Sequence, residues 1–342
     1  MQITGGIKFR GGFRINPPVA PSAPVMPNIG STWTYQAGLS AIWDENSSTI
    51  VYDVAWDGSK FVAVTTSGRV ATSPDGVTWT NQTGLSSTGW STTYITSINW
   101  NGSQFLVAGG TGKVATSPDG VTWTYQTGLS STAWSTTQVN DIHWNGSQYL
   151  IVGNSGKVAT SPDGVTWTNI TTLASVVSNY HVAAVAWDGT RYVAVSQFAR
   201  NAYSTDNGAT WTSALTNLSS TAWGTASIFD ITYGNGTFLI GGATGKIATS
   251  TDGATWTAQG GLSGTSWGTS IVYTVYWTGS QFFAGGDVGK VAVSTNGVTW
   301  TYYNTLAATT WAALPPVYAA IVDGTSKILV TGSYGRAATS TS

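Results

Sequence analysis

The chain has 342 residues, of which 41% are hydrophobic, 12% aromatic and only 8% charged, and it contains 42 glycines and 18 tryptophans. The apolar content excludes general disorder, and a net charge of −1 provides no global field for nucleic acid or an anionic membrane. The sequence has no cysteine and no long apolar run, which excludes disulfides, thiolate metal sites, cysteine nucleophiles and a membrane-spanning segment.

Residues 1–16 alternate apolar and basic side chains. The apolar residues Ile3, Ile7, Phe9, Phe13 and Ile15 hold odd positions, and the basic residues Lys8, Arg10 and Arg14 hold even positions. A period of two with one apolar and one basic face predicts a strand. Because the segment has no sheet of its own, we expect it to pair with another chain by strand addition. The alternative is a disordered leader, which the two Gly-Gly pairs at 5–6 and 11–12 would suit. Residues 17–29 are rich in proline and predict a stiff, extended spacer.

From residue 30 onward the chain repeats a short turn followed by a tryptophan. The phrase S-P-D-G-V-T-W-T stands at 73–80, 117–124 and 161–168, and close variants follow in three later repeats. The six tryptophans are spaced by 44, 44, 44, 45 and 44 residues; they are Trp79, Trp123, Trp167, Trp211, Trp256 and Trp300. A period of this length predicts a repeat architecture.

Each repeat has four short segments with strand character. In the second repeat they are residues 94–100, 104–110, 112–117 and 122–126, here named strands A to D. Asn-Gly or Asp-Gly joins A to B at residues 57–58, 101–102, 145–146 and 188–189, which is a strong hairpin signal. Four-stranded units of this length are typical of the blades of a β-propeller.

The two ends of the repeat region are complementary. Residues 336–342 form a strand C with no strand D after it, and residues 30–36 form a strand D with no strands before it. Joined, they complete one blade, and closure removes the two raw sheet edges that an open array would expose. The sequence therefore predicts an all-β, seven-bladed β-propeller over residues 30–342, with the N-terminal strand closing the C-terminal blade.

One turn carries a recognisable family pattern. Ser204-Thr-Asp206-Asn-Gly208-Ala-Thr210-Trp211 resembles the complete Asp-box, or bacterial neuraminidase repeat, and the other turns resemble a shortened form. The resemblance covers residues 30–342 and implies a propeller. Since Asp-box propellers include sialidases, other glycosidases, lectins and scaffold proteins, it does not imply one function.

The acidic side chains do not predict an enzyme. Glycoside hydrolysis uses two carboxylates across the scissile bond, and the single glutamate, Glu45, lies in a loop beside Asp44. Asp141 and His143 lie on one face of a strand A and form either an acid–base pair or a satisfied polar pair; no nucleophile accompanies them. We therefore expect no catalytic residues and no cofactor.

Three aspartates occupy equivalent positions in the first, third and fifth strands A: Asp53, Asp141 and Asp230. Because strand A lines the central channel of a propeller, their carboxylates could converge on a cation. Alternatively, they cap neighbouring strands or pair with lysines. We favour the second interpretation and predict no metal site.

A basic residue precedes each strand C. The seven are Arg69, Lys113, Lys157, Arg200, Lys246, Lys290 and Arg336. Their equivalence predicts a basic ring on one face, which acts either as a collar for anions or acidic glycans, or as a set of salt bridges and gatekeeping charges at strand ends.

Six tryptophans lie in the links between one blade's strand D and the next blade's strand A. They are Trp43, Trp90, Trp134, Trp223, Trp267 and Trp311. An indole flanked by Ser, Thr and Gly is suited to stacking on a sugar ring. The alternative is that each indole fills the gap between blades. The fourth link, residues 173–181, has no tryptophan.

The segment ITGGIKFRGGFRI before a proline-rich spacer resembles the N-terminal attachment segments of phage tail and capsid-fibre proteins. The predicted function is therefore a phage virion structural protein that docks on another virion protein through residues 1–16 and displays its propeller to a host-surface glycan. The alternatives are a structural decoration or adaptor without a ligand, and a free, secreted bacterial lectin. A homo-oligomer is left open, and neither nucleic-acid binding nor membrane insertion is expected.

Overall fold

The computed structural model describes residues 31–43, 49–214, 218, 223–306, 311, 316–324 and 327–341. These residues form seven four-stranded antiparallel sheets and little helix, which confirms the predicted seven-bladed propeller. The predicted N-terminal strand and the proline-rich spacer lie outside the described residues. In the part of the chain described, no helix is long and apolar enough to cross a lipid bilayer.

The strands are numbered in chain order. The closing strand is β1 (Thr34–Gln36). Blade 1 contains β2 (Val51–Trp56), β3 (Phe61–Thr65), β4 (Val70–Ser73) and β5 (Thr80–Gln82). Blade 2 contains β6 (Ile95–Trp100), β7 (Phe105–Gly109), β8 (Val114–Ser117) and β9 (Thr124–Gln126). Blade 3 contains β10 (Val139–Trp144), β11 (Tyr149–Gly153), β12 (Val158–Ser161) and β13 (Thr168–Ile170).

The remaining blades follow the same order. Blade 4 contains β14 (Val182–Trp187), β15 (Tyr192–Ser196), β16 (Asn201–Ser204) and β17 (Thr212–Ser213). Blade 5 contains β18 (Ile228–Gly234), β19 (Thr237–Gly242), β20 (Ile247–Ser250) and β21 (Thr257–Gln259). Blade 6 contains β22 (Val272–Trp277), β23 (Phe282–Gly286), β24 (Val291–Ser294) and β25 (Thr301–Tyr303). Blade 7 contains β26 (Val317–Val322), β27 (Lys327–Gly332) and β28 (Ala337–Thr341), with β1 as its fourth strand. Two short helices, α1 (Gly38–Trp43) and α2 (Thr172–Val176), lie in links between blades.

The ring is closed by β1. This strand pairs antiparallel with β28, with Thr34 opposite Thr339 and Gln36 opposite Ala337. The inner strands of successive blades contact one another around the whole circle, including β26 of blade 7 and β2 of blade 1. The predicted completion of the last blade by the N-terminal strand is confirmed.

The turn between strands C and D is held by its own side chains. In blade 2 the Ser117 hydroxyl accepts from the Gly120 N–H at 2.8 Å, and the Asp119 carboxylate accepts from the N–H groups of Val121 and Thr122 at 2.8 and 2.7 Å. Gly120 has a φ of +73°, and a Cβ there would lie 2.8 Å from Val62 of blade 1. The Trp123 indole donates to the Gly120 carbonyl, so this turn fixes both its own blade and the packing on its neighbour.

Antiparallel pairing places consecutive turns at opposite ends of each blade. The A–B and C–D turns therefore lie on one face of the ring, and the B–C turns and the links between blades lie on the other. Contacts between blades agree with this arrangement: Gln104, beside the A–B turn of blade 2, donates to the carbonyl of Asp163 in the C–D turn of blade 3. The hydrophobic core lies between the blades.

Candidate functional site

The link tryptophans are not available to a ligand. All six are at most 1% exposed and are among the largest fully buried side chains of the described residues. A Cβ at Gly153, at the end of β11, would lie 2.7 Å from the Trp134 ring, so the indole fills a slot that only glycine leaves open. The expectation that these tryptophans stack on sugar is therefore corrected, because Trp43, Trp90, Trp134, Trp223, Trp267 and Trp311 serve as packing between link and blade.

The lysines of the basic ring cap backbone carbonyls of the preceding link. Lys113 Nζ donates to the Trp90 carbonyl at 2.8 Å, Lys246 Nζ to that of Trp223 at 2.6 Å, and Lys290 Nζ to that of Trp267 at 2.8 Å. Lys157 donates to the Ala133 carbonyl. The salt-bridge interpretation is wrong for these four lysines, since each ammonium group satisfies carbonyl oxygens of a link.

The two arginines Arg69 and Arg200 differ from the lysines. Arg69 is exposed, and its guanidinium makes no hydrogen bond or ion pair with a described residue. The Arg200 guanidinium stacks over the Tyr180 ring at 4.9 Å and donates to the Ser178 hydroxyl at 2.8 Å. Arg336 is half-buried at the equivalent position in blade 7.

The three aspartates of the inner strands tie neighbouring blades together. One carboxylate oxygen of Asp141 accepts from the Ile142 N–H at 2.8 Å, and the other accepts from the Val185 N–H of blade 4 at 2.9 Å. Asp53 reaches the N–H of Ile98 and Asp230 that of Val275 in the same way. The capping interpretation is confirmed, and the described residues contain no group of three potential metal ligands.

Asp141 and His143 of blade 3 both contact blade 4. Both oxygens of Asp141 accept backbone N–H groups, and the His143 ring, which is 3% exposed, packs edge-on against Tyr192 at 5.9 Å. The hydrogen bonds of Asp141 agree with the interpretation of a satisfied polar side chain. Asp44 and Glu45 lie outside the described residues.

The charged side chains are sorted between the two faces of the ring. The face of the B–C turns, here called the basic face, carries the seven-membered basic ring and, among the described residues, a single carboxylate, Asp287. The opposite face, here called the acidic face, carries three cations, Lys60, Arg191 and Lys327, against eight carboxylates. These are Asp57, Asp75, Asp119, Asp163, Asp188, Asp206, Asp252 and Asp323. The two ion pairs formed within the described ranges, Lys60–Asp57 and Arg191–Asp188, both lie on the acidic face. The charges of the basic face therefore attract anions.

A cleft of about 600 Å³ opens on the basic face at blade 1, lined by Arg69, Asn81, Ser86 and Thr92 among others. The Trp43 indole donates to Asn81 at 2.9 Å. In blade 2 the position of Asn81 is taken by Tyr125, whose ring packs against the link at Gly89. Asparagine alone does not account for the cleft, because Asn169 holds the same position in blade 3 and accepts from the Trp134 indole at 3.2 Å. The repeat pattern did not indicate this cleft.

Blade 4 presents a second feature of the basic face. Its B–C turn reads Gln197-Phe198-Ala199-Arg200, where the other blades have a glycine at the position of Ala199. Phe198 is 48% exposed, and its ring lies 4.8 Å from that of Tyr180. The loss of glycine was visible in the sequence, but the pairing with Tyr180 was not.

Seven four-stranded blades with one basic and one acidic face define a β-propeller whose candidate binding surface is the basic face. No family model matches the chain, and no curated protein matches it. Solved structures do: a YCF48 structure with a bound D1 peptide is 15% identical, with a TM-score of 0.70, and the match covers 94% of this chain and 98% of that one. YCF48 from Cyanidioschyzon merolae is 16% identical, with a TM-score of 0.66 over 90% and 98% of the two chains.

A GH74 xyloglucanase from Xanthomonas campestris is 14% identical, with a TM-score of 0.65 over 90% of this chain and 53% of the enzyme. Identities this low show the fold alone. Of the similar propellers named here, the xyloglucanase is an enzyme.

Proposed function

We propose that the chain is a phage virion structural protein, of the tail or the capsid surface, whose propeller displays its basic face to a host-surface glycan and has no enzymatic activity. The observation that carries this proposal is the side of the ring at which the N-terminal segment enters, relative to the basic and acidic faces. Strand β1 runs from the acidic face toward the basic face, so residues 1–30 join the propeller at the acidic side. A protein attached through its N-terminal segment would present the opposite, basic face outward.

The attachment part of the proposal is supported by the sequence of residues 1–16. Its apolar side and its basic side suit addition to a strand of a partner, and the spacer of residues 17–29 would hold the ring away from that partner. The closed ring is also compatible with a particle component, because β1 covers the edge of β28, on which another chain could otherwise add a strand.

The non-enzymatic part is supported by how the acids are used. Asp53, Asp141 and Asp230 accept backbone N–H groups between blades, and the aspartates of the C–D turns accept N–H groups within those turns. The geometry of these turns also supports the Asp-box resemblance.

The attachment test is incorporation into particles. Deletion of residues 1–16 is expected to abolish recovery of the protein with purified virions, whereas replacement of Lys8, Arg10 and Arg14 by glutamine retains the apolar face and is expected to weaken recovery only partly. Particles that incorporate the truncated protein at the normal level would show that the segment is not the anchor, and absence of the full chain from virions would favour the free bacterial lectin.

The display test is a glycan array with the full chain. Binding to acidic glycans that declines as salt concentration rises is expected, because the basic face attracts anions through screened charges. No binding to any sugar would favour the second candidate, a structural decoration or adaptor, which is supported by the burial of the six link tryptophans.

A further inference from the structure

We propose that Phe198, Tyr180 and Arg200 of blade 4 form a stacking site for a carboxylated pyranose, such as a hexuronic acid ring. This inference rests on the proposed glycan-binding function and names its site. These three residues, here called the platform, lie on the basic face. The equivalent turns of the six other blades have different sequences.

The platform breaks the repeat at an energetic cost to the backbone. Ala199 has a φ of +56° at a position where the other six blades have glycine. The φ of +55° at Phe198 is shared by the equivalent residue in five other blades, so the departure from the repeat is at Ala199. In the link beside it, Ser178 and Asn179 also have φ values of +55° and +60°. Left-handed conformations are unfavourable for residues with a Cβ, and they persist where surrounding structure imposes them, often at binding sites. A turn that served only to join two strands would keep the glycine of its six equivalents.

The aromatic pair is open to solvent and held in place. Phe198 is 48% exposed although its neighbour Ala199 is fully buried, so the turn is anchored while the ring above it stays accessible. The Tyr180 ring lies 4.8 Å from Phe198, with an angle of 54° between the ring planes, and the Arg200 guanidinium covers Tyr180 at 4.9 Å. An exposed, preorganised aromatic surface loses little conformational entropy when a sugar ring stacks on it.

Arg200 determines the chemical class of the ligand. Its side chain donates to the neutral hydroxyl of Ser178 and forms no ion pair with a described carboxylate, so its positive charge is not neutralised locally. Guanidinium groups bind carboxylates through charge-assisted hydrogen bonds. A ring that stacks on Phe198 and carries a carboxylate at its edge would satisfy both groups, and the charge of the basic face would favour its approach.

The experiment compares methyl glucuronide with methyl glucoside, which differ by the carboxylate, in titrations of the full chain followed by NMR. Phe198→Thr introduces the residue that Thr111 and Thr244 provide at the same turn position, and it is expected to weaken glucuronide binding about tenfold. Tyr334→Ala removes the exposed aromatic side chain of the equivalent turn in blade 7 and is expected to leave binding unchanged.

A second pair of variants tests the charge. Arg200→Gln is expected to abolish the preference for glucuronide over glucoside, whereas Arg69→Gln removes the same charge from the same ring and is expected to keep that preference. Unchanged binding by Phe198→Thr, or loss of the preference in Arg69→Gln alone, would overturn the blade 4 site and leave the glycan-binding function standing. No binding of either sugar by the unmodified chain would overturn the site, and an empty glycan array would overturn the glycan-binding function with it.

Discussion

The side-chain amide of Gln36 donates to the hydroxyl of Thr339 at 2.8 Å, across 303 positions of the chain. The same bond joins Gln126 to Thr116 at 2.9 Å within blade 2, where its partners are ten positions apart. A hydrogen bond that is local in the internal blades thus holds together the two ends of the chain in the closing blade.

This pairing predicts different kinetic effects of equivalent substitutions. Gln36→Ala and Gln126→Ala are each expected to lower the free energy of unfolding by about 0.5–1.5 kcal/mol, because each removes one hydrogen bond. Gln36→Ala is expected to accelerate unfolding more, since its blade is held together by both ends of the chain. Unfolding rates measured by fluorescence after denaturant jumps test this, and equal rates for the two variants would contradict it.

The burial of Trp134 predicts a structural rather than a binding effect. Trp134→Ala is expected to lower the free energy of unfolding by about 3–5 kcal/mol, because it empties a slot between link and strand. Ser135→Ala, an exposed change in the same link, is the control and is expected to be neutral. Denaturant titrations measure both, and a stable Trp134→Ala protein would contradict the packing role.

The hydrogen bonds of Asp141 to two strands predict that its substitution lowers the stability of the protein. They also predict that the stability of the unmodified chain does not depend on a metal ion. Asp141→Ala leaves two buried N–H groups without their acceptor and is expected to lower the free energy of unfolding by about 3–5 kcal/mol. Addition of EDTA or of calcium to the unmodified chain is expected to leave its melting temperature unchanged. A rise in melting temperature with calcium that disappears in Asp141→Ala would restore the cation interpretation.

The aspartates of the C–D turns predict acid sensitivity. Partial burial alone would raise the pKa of Asp119, but the N–H groups of Thr122 and Val121 donate to its carboxylate and lower the pKa below its usual 3.8. The same direction holds for Asp75, Asp163, Asp206 and Asp252. A lowered pKa gives stability that is present above 3.8 and is lost as the pH falls through the folded-state value.

The melting temperature is therefore expected to be constant near neutral pH and to fall below about pH 4. Blade 6 supplies the control, because Asn296 caps its turn with an amide oxygen that accepts from Val298 and Thr299 at 2.9 Å. Asp119→Asn should keep the turn while it removes that residue's share of the acid sensitivity. An identical pH profile for Asp119→Asn would show that the acid loss arises elsewhere.

The number of blades and the closure of the ring could be predicted from the sequence, because every repeat carries its own turn signals and the partial repeats at the two ends are complementary. The role of Trp134 could not be predicted from the sequence. Its neighbours Ser, Thr and Gly are equally suited to a sugar site. The slot that buries the indole is formed by Gly153, which lies at the end of β11 and not in the link itself.

The sequence indicated that Asp141 caps a neighbouring strand, but it did not identify the partner, and the pairing of Phe198 with Tyr180 was missed for a related reason. Asp141 is satisfied by Val185, a full repeat later in the chain, so its partner depends on how closely two blades approach. The change to Phe198-Ala199 was visible, but its consequence required the position of Tyr180 beside it.

The placement of β1 has a mechanical consequence. This outermost strand is continuous with residues 1–30, so tension applied through that segment reaches the ring first at the three residue pairs between β1 and β28. A particle that pulled on the protein would load the pairing of β1 with β28 before any internal sheet. The strength of that pairing would set the force at which the propeller opens.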